Sequence, residues 1–476
     1  MLLYLSREQY EYDLRGLLMA FYPGAPITKI EKPLSEDGER ALFVFFAEKE
    51  GEESCVRLVS EGTVTEEHIP SAFLDAKGEK TRMKQAVYRL LAKDTGHTLP
   101  WGTLTGIRPV KIAMQLLEEG KDLSAVRAHM EGDLLVSPGK TALSYDIAVR
   151  ERGVLGRLSE NGYSLYLGVP FCPSICLYCS FSSYPVARFK KQTGAYVEAL
   201  LQELAFVAEA FRDRPLDTIY FGGGTPTTLS PAELSRVLSY ITGHFDLGHL
   251  KEWTVEAGRP DSLDMEKLKT LRAFPVSRIS VNPQTMRQET LDLIGRRHTV
   301  EDVYRAFRMA RDAGFDDINM DLIAGLPGEA DIDETLEKVL DLGPENVTVH
   351  SLAVKRASRL RLEMERYSAY QMENSDEAME RARLKLKDAG LFPYYLYRQK
   401  NMAGNQENVG YAKPGKEGLY NVLIMEEVQP IAAVGAGATS KQVKDGRITR
   451  ADNIKDVLLY LQSVDEMIER KRGLFL

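Results

Sequence analysis

Three of the four cysteines in this chain lie within eight residues of one another, directly after a short apolar run. The run is Tyr166-Leu-Gly-Val-Pro-Phe, and Cys172, Cys176 and Cys179 follow it with the spacing C-x3-C-x2-C, whereas Cys55 lies far upstream. Thiolates gathered this closely repel one another unless a metal shares their charge. The fold must therefore deliver, from the end of one strand, a loop that brings three sulfurs together.

The ligand count narrows the kind of metal that this loop could hold. A structural zinc site needs four ligands, normally in two close pairs, and none of the seven histidines lies near residues 172–179. A disulfide would leave one cysteine over, and the chain has no secretory context. The pattern favours an iron-sulfur cluster, on which three thiolates leave one iron of a four-iron cluster open. Zinc and an unligated group of thiols remain the alternatives.

Length and composition bound the class of protein. A chain of 476 residues suggests about three domains, and its 44% hydrophobic and 27% charged residues are typical of a soluble globular protein. No apolar run approaches the ~18 residues of a membrane span, and the first residues lack the features of a signal peptide. The net charge of -8, without a long basic block, argues against a nucleic-acid partner. We therefore expect a cytoplasmic protein with no membrane partner.

The first 160 residues carry no recognisable chemistry. Residues 1–95 predict a small α+β domain of unknown role, with helices near 6–21 and 79–93, strand-like runs at 41–47 and 55–59, and hairpin breaks at 36–38 and 50–51. Cys55 lies inside a strand pattern, so we interpret it as a small core residue. Residues 96–160 predict a helical connector.

From residue 161 the pattern becomes strand then helix, repeated. Strand-like runs lie at 164–169, 217–221, 253–257, 277–282, 317–323 and 346–352. Helical stretches alternate with them near 192–211, 231–244, 262–273, 300–313 and 332–342. Such alternation predicts right-handed βαβ units and a parallel sheet. The fold class is therefore α/β: an open (β/α)6 partial TIM barrel over 161–355, followed by a mostly helical C-terminal domain over 356–476.

Polar and glycine motifs follow the ends of the predicted strands. Glycines 222–224 follow the second strand, and Glu256, Gln284 and Asp321 lie at or after the next three. Since barrel enzymes build their sites at the carboxyl ends of their strands, these motifs should converge with the cysteines. A glycine triplet admits a ligand close to the backbone, but a tight strand–helix turn would use it too. Glu256 could equally form a salt bridge, while Asp321 interrupts an apolar run and needs a partner.

These motifs together resemble the radical S-adenosylmethionine (SAM) enzymes, and within them the oxygen-independent coproporphyrinogen III oxidases or dehydrogenases, closest to the HemZ-type branch. The likeness rests on Val169-Pro-Phe-Cys172, Gly222-Gly-Gly-Thr-Pro-Thr227, Arg278-Ile-Ser280, Ile294-Gly-Arg-Arg-His298 and Asp321-Leu-Ile-Ala-Gly-Leu-Pro327. It covers about residues 160–440. The resemblance implies a [4Fe-4S] cluster on Cys172, Cys176 and Cys179, one or two molecules of SAM, a one-electron reductant and a tetrapyrrole substrate. Residues at positions that contact SAM in the family are Tyr166, Tyr178, Gly223, Gly224, Thr225, Glu256, Gln284, Arg296, Asp321 and Ala353. Tyr166 and Tyr178 could instead be core residues.

The resemblance implies oxidative decarboxylation of coproporphyrinogen III propionates to vinyl groups, which gives protoporphyrinogen IX in anaerobic haem synthesis. Lys355, Arg356 and Arg359 are candidates to bind the substrate carboxylates, or else form a solvated basic stretch. The family's decarboxylases carry a histidine and a further cysteine where this chain has Gly168 and Phe181. Two alternatives follow: a haem-binding, chaperone-like protein, and a radical SAM enzyme, such as a methyltransferase, acting on another tetrapyrrole or on RNA. No catalytic residue is assigned.

Overall fold

The computed structural model describes residues 1–33, 40–47, 53–70, 75–106, 108–329, 331–367, 369–370, 372, 374–399 and 402–476. The chain forms two compact units. The first contains residues 1–149 and 398–406, and the second contains 150–397 and 407–476. The boundaries expected at residues 95, 160 and 355 stay a prediction. In the part of the chain described, no helix combines the length and apolarity needed to cross a membrane.

The first unit is built on a five-stranded sheet with the order β2-β1-β3-β4-β5. Its strands are β1 (Leu2–Leu5), β2 (Thr28–Lys29), β3 (Ala41–Phe45), β4 (Glu53–Ser60) and β5 (Thr63–Pro70). Its helices are α1 (Glu11–Phe21), α2 (Ala76–Thr95), α3 (Val110–Glu118) and α4 (Leu123–Arg127), and α5 (Pro138–Leu155) continues into the second unit. Apolar side chains of α1 and α2 pack on one face of the sheet. The expected breaks at 36–38 and 50–51 lie outside the described residues.

The second unit contains an eleven-stranded sheet. Six neighbouring strands at its centre are parallel: β6 (Tyr163–Val169), β9 (Leu216–Gly223), β10 (Glu252–Glu256), β11 (Arg278–Ser280), β12 (Ile318–Ala324) and β13 (Asn346–Ser351). These are the six predicted strands, adjacent in the expected order, so the predicted partial barrel is confirmed. Two short strands, β7 (Phe171–Cys172) and β8 (Tyr184–Pro185), pair separately beside the cysteines.

The C-terminal segment adds strands to both edges of this sheet. These are β14 (Phe392–Tyr397) and β15 (Asn408–Ala412) beside β13, and β16 (Ile431–Val434), β17 (Thr439–Lys444) and β18 (Arg447–Asp452) beside β6. The helices of the unit are α6 (Val186–Phe189), α7 (Thr193–Ala210), α8 (Pro231–His244), α9 (Met265–Arg272), α10 (Gln288–Leu293), α11 (Val300–Asp312), α12 (Asp333–Leu342), α13 (Arg359–Leu362), α14 (Asp376–Asp388), α15 (Leu419–Glu426), α16 (Val457–Gln462) and α17 (Val464–Phe475).

Side-chain alternation gives the parallel sheet one apolar and one polar face. In β9 and β10, Ile219, Phe221, Trp253 and Val255 are fully buried. The residues between them form polar contacts across strands, as in the hydrogen bond of 2.6 Å from the Tyr220 hydroxyl to Glu256. Since successive side chains of a strand point to opposite faces, the apolar set anchors the sheet while the polar set lines the barrel. A polar interior is what a ligand-binding barrel requires.

Candidate functional site

The cysteine loop leaves β7 and is fastened to the segment after α10. The Ser174 hydroxyl donates to the Gly295 carbonyl at 3.0 Å, and the Leu177 amide donates to the Ile294 carbonyl at 2.8 Å. Cys176 is buried, and Cys172 and Cys179 are half-buried. All four cysteines of the chain are free thiols. The loop is therefore held by backbone and hydroxyl bonds that leave its sulfurs available.

Burial raises the pKa of two of these thiols, Cys172 and Cys179. It raises the pKa of the Cys172 thiol to about 11, although a hydrogen bond from Thr225 opposes the shift. Burial likewise raises the pKa of the Cys179 thiol. Three soft sulfur donors on one loop, two of them with a raised thiol pKa, are suited to a metal group, which would bind them as thiolates.

A buried arginine lies against the middle cysteine. Arg259, 4% exposed, donates to the Ser174 carbonyl at 3.0 Å, and its Nη1 lies 3.7 Å from the Cys176 sulfur. Asp261 holds the other edge of the guanidinium at 2.8 Å. Burial alone would raise the pKa of the Asp261 carboxyl, but the nearby His298 ring, with Nδ1 at 3.8 Å, and the hydrogen-bonded Arg259 guanidinium hold that pKa well below its usual range. The Asp261 carboxylate thus fixes a positive charge beside Cys176.

The glycine loop after β9 runs close to the cysteine loop. A Cβ on Gly224 would lie 2.7 Å from the Phe171 carbonyl and 3.0 Å from the Cys172 sulfur. Gly223 has a φ of +104°, which L side chains rarely adopt, and its Cβ would lie 2.9 Å from the Val169 nitrogen. Thr225 is buried, and its hydroxyl points at the Cys172 sulfur at 3.6 Å. Positions 223 and 224 need glycine because their backbone lies against the backbone of residues 169–172, with no space for a side chain.

Three tyrosines form a stack inside the barrel beside Glu256. The ring of Tyr220 lies 4.5 Å from that of Tyr420 and 6.1 Å from that of Tyr166, and both pairs are stacked. Burial, with the nearby Asp321 carboxylate, raises the pKa of the Glu256 carboxyl to about 7, against the lowering effect of the Tyr220 hydrogen bond. The stack provides a flat apolar wall next to a carboxyl that ionises near neutrality.

Asp321 lies on β12 with a different set of partners. Its carboxylate accepts from the Asn319 amide at 2.8 Å and lies 3.8 Å from His350 Nε2. Burial would raise its pKa, but these partners, His350 foremost, leave the pKa of Asp321 below its ordinary value. Asp321 is therefore the ionised member and Glu256 the readily protonated member of a carboxyl pair.

Gln284 and Arg296 frame the same end of the barrel. Gln284 has a φ of +68°, a strained conformation for a non-glycine residue. Its backbone N–H donates to the backbone carbonyl of Asp321 at 2.9 Å, which holds this conformation. Such strain occurs often at ligand sites. The Arg296 guanidinium is buried, and it donates to the Asn282 carbonyl. Tyr178 and Ala353 are both half-buried, in the cysteine loop and after β13 respectively.

These residues fit an iron-sulfur cluster with an adjacent ligand. Three free cysteines on one short loop supply the thiolate ligands that iron-sulfur clusters take. The glycine loop leaves backbone, without side chains, facing the same space.

Comparisons with known proteins identify the family. The Radical SAM superfamily matches residues 166–343. The chain is 39% identical over 426 residues to the oxygen-independent coproporphyrinogen-III oxidase-like protein HemZ of Bacillus subtilis (strain 168), across 86% of this chain and 85% of that protein. The chain belongs to the radical SAM family of coproporphyrinogen-III oxidase-like proteins. Its cofactors are therefore a [4Fe-4S] cluster and SAM.

Other members of this radical SAM family carry different names. The heme chaperone HemW of Lactococcus lactis subsp. lactis (strain IL1403) is 33% identical over 279 residues, across 58% of this chain and 69% of that protein. Among solved structures, the radical SAM enzyme coproporphyrinogen III oxidase (HemN) from Escherichia coli matches with a TM-score of 0.52 and 25% identity, across 66% of this chain and 72% of that chain. The family is thus established more firmly than the reaction.

Several residues of this candidate site were not among those predicted. They are Tyr220, Arg259, Asp261, Asn282, His298, His350 and Tyr420. Period-two alternation along β9 places Tyr220 on the same face as Gly222, so that residue was within reach of sequence reasoning. Arg259 and Asp261 lie within five residues after Glu256, at the same end of strand β10, so they too were within reach of sequence reasoning. Tyr420 had no local signal because it comes from α15, far along the chain.

Proposed function

We propose that this protein oxidatively decarboxylates propionates of coproporphyrinogen III to vinyl groups, giving protoporphyrinogen IX. When bound, the cluster and SAM supply a 5′-deoxyadenosyl radical after one-electron reduction. Each of two propionates would then lose a hydrogen atom from its β-carbon, CO2, and one electron, which an external acceptor takes. Family membership and the carboxyl pair beside the glycine loop support this proposal.

Each part of the site has a proposed role. Cys172, Cys176 and Cys179 would hold the [4Fe-4S] cluster, whose remaining iron would be open to SAM. Gly223 and Gly224 would let SAM approach the backbone, with Thr225, Glu256 and Asp321 accepting or donating hydrogen bonds to it. Arg296, Gln284, Tyr166, Tyr178 and Ala353 would complete its surroundings. The buried tyrosine wall would exclude water from reactive species.

The observation that carries the substrate proposal is an exposed aromatic beside a lysine at the edge of the cysteine loop. Phe181 is 72% exposed, and the Lys355 ammonium lies 5.9 Å from the centre of its ring. The charge of Lys355 also interacts with Cys179. An exposed ring with an adjacent cation suits a flat macrocycle that carries carboxylates.

The three basic candidates are not equivalent. Arg359 is exposed and pairs with Glu363 at 3.2 Å, one helical turn along α13. Arg356 is exposed, whereas Lys355 makes the contact with the Phe181 ring. Lys355 is therefore our first choice for a propionate partner, and Arg359 our last.

The test is an anaerobic assay with coproporphyrinogen III, SAM and a reductant, followed by mass spectrometry of the tetrapyrrole and the nucleoside. We expect vinyl products together with 5′-deoxyadenosine. Lys355→Gln should raise the KM for coproporphyrinogen roughly 10-fold, as for loss of one charged hydrogen bond. Arg359→Gln, the matched control, should leave it near the original value. Formation of deoxyadenosine with unchanged coproporphyrinogen would contradict the decarboxylase proposal.

A haem-handling function is the second candidate, favoured by Gly168 and by the HemW relatives. A Cβ at Gly168 would lie 3.3 Å from the Tyr166 ring, which would have to give by a few tenths of an ångström, and 3.6 Å from the Val434 carbonyl, an ordinary contact. Gly168 supplies no imidazole at the position of the decarboxylase histidine. If the protein used in the anaerobic assay binds haem tightly and leaves coproporphyrinogen III unchanged, the haem-handling function is favoured. Either function needs a reducing compartment for the thiols, and we propose the cytoplasm.

A further inference from the structure

A second group of metal-binding side chains lies on the first unit, on the hairpin of β4 and β5. Cys55 lies directly opposite His68 in the antiparallel register, and Arg57 lies opposite Glu66. These residues alternate with Ser54 and Val56, which are buried on the other side of the sheet. Alternation therefore turns all four side chains toward the same face.

The donor atoms on this face converge. The Cys55 sulfur, a Glu66 carboxylate oxygen and a His68 ring nitrogen all lie within 4.8 Å of one another. His68 Nε2 is 3.6 Å from Glu66 Oε2. Bond lengths to zinc imply ligand atoms roughly 3.3–3.8 Å apart around a tetrahedral ion. Only a small closure of the Cys55 side chain separates this arrangement from a three-ligand site.

The remaining atoms of these ligands have partners that would orient them. His68 Nδ1, the nitrogen on the far side of the ring, lies 3.4 Å from Glu53 Oε2. Arg57 donates to Glu66 Oε1 and so leaves Oε2 directed at His68. A carboxylate behind a ligating histidine is the usual second layer of a metal site, where it fixes the ring and its tautomer. Glu53 and Arg57 lie outside the three ligands and hold two of them in place.

We propose that this hairpin binds a zinc-like divalent cation through Cys55, His68 Nε2 and Glu66 Oε2, with water in the fourth position. A thiolate, an imidazole and a carboxylate form a mixed donor set that zinc accepts, whereas magnesium and calcium prefer oxygen alone. Cys55 is half-buried while His68 and Glu66 are exposed, so the ion has an entry path. The site is separate from the cluster cysteines and does not depend on the proposed reaction.

The test uses the full chain, purified anaerobically with its iron-sulfur cluster, and Zn²⁺ in competition with a chromophoric chelator. We expect one zinc equivalent per chain beyond the iron. Cys55→Ala and His68→Ala should abolish it, and Glu53→Gln should weaken it roughly 10- to 100-fold by loosening the ring of His68. Glu61→Gln, in the turn of the same hairpin, should bind zinc as the unsubstituted protein does. Iron content, measured on every variant, reports separately on the cluster.

A second measurement does not depend on substitutions. Co²⁺ added to the unsubstituted protein should give a thiolate-to-cobalt absorption band and the visible bands of tetrahedral cobalt. Absence of these bands, or zinc binding that survives in both Cys55→Ala and His68→Ala, would overturn the proposal.

Discussion

Glu256 ends β10 in surroundings that retain its proton. Because burial raises its pKa to about 7, the carboxyl is largely neutral below neutrality and ionised above it. SAM is a cation at its sulfonium and its amine, so an ionised Glu256 should bind it better. We predict that SAM affinity rises with pH through about 7, by up to tenfold per pH unit.

Equilibrium binding of SAM, measured about one unit below and above this pKa, checks the prediction. Glu256→Gln should bind weakly at both pH values and lose the dependence. An equally steep pH dependence in Glu256→Gln would assign it to another group. The stability of the unliganded protein should depend on pH in the opposite direction. Because folding raises the pKa of Glu256 from 4.5, the free energy of unfolding should fall as pH rises toward 7.

Gly224 illustrates how little room the site leaves. Gly224→Ala would put a Cβ 2.9 Å from the Val169 carbonyl and 3.0 Å from the Cys172 sulfur. Since both neighbours belong to fixed loops, we expect a loss of ~1–3 kcal/mol in unfolding free energy and at least 10-fold weaker SAM binding. Chemical denaturation and SAM titration measure the two effects. Gly153→Ala, in α5 with open space around it, should instead be neutral or stabilising by ~0.5–1 kcal/mol.

At the scale of elements, the turn after β10 acts on the cysteine loop through Arg259. Its guanidinium lies 3.7 Å from the Cys176 sulfur. A positive charge there favours the reduced, more negative cluster. Arg259→Met should therefore lower the reduction potential, by about 60 mV for each 1.4 kcal/mol of lost interaction. Potentiometric titration read by electron paramagnetic resonance measures this potential. The potential of Arg259→Lys should lie between those of Arg259→Met and the unsubstituted protein. An unchanged potential at full iron content would show that Arg259 only fastens the loop.

The last helix, α17, is tied to α7 by a buried ion pair. Lys471 and Glu203 are both fully buried and in contact, and Glu203 also accepts from the Gly435 amide at 2.8 Å. Lys471→Met leaves a buried carboxylate unpaired, which should cost ~3–5 kcal/mol of unfolding free energy. Glu203→Gln combined with Lys471→Met should recover part of that loss. Arg472→Gln, at an exposed pair with Glu469, should change it by less than ~0.5 kcal/mol.

The same elements show what the sequence could and could not predict. The six parallel strands were predictable because each is a short apolar run followed by a helix. Strands β14–β18 were not, since their places at the sheet edges depend on pairing with strands far away in sequence, as β16 pairs with β6. Cys55 was expected in the core, and that expectation was wrong. Its neighbours Ser54 and Val56 are buried on one face of the sheet, so Cys55 lies on the opposite, half-exposed face. The positions of candidate site residues followed from topology, but the contacts of Arg259 and His298 required side-chain directions.

At the scale of the whole molecule, the boundary between the units is crossed more than once. Residues 398–406 lie in the sequence of the C-terminal segment but belong to the first unit. Arg398 shows why: it is 5% exposed, donates to the Leu104 carbonyl at 2.8 Å, and its guanidinium lies 5.4 Å from the ring of Trp101. Residues 398–406 therefore complete the packing of the first unit, although the residues on both sides of them in the chain belong to the second unit.

This arrangement predicts the behaviour of a truncated protein. Residues 150–476 alone should aggregate or unfold at lower temperature, because Arg398 and its neighbours lose the partners that bury them. Replacing 398–406 in that truncation by a short glycine-serine linker should restore a folded barrel that still takes up iron, since the cysteine and glycine loops lie wholly within the second unit. Thermal denaturation and iron content compare the two proteins. If the simple truncation is as stable as the linker version, then Arg398 is tolerated without its partners and the two units are separable at residue 149.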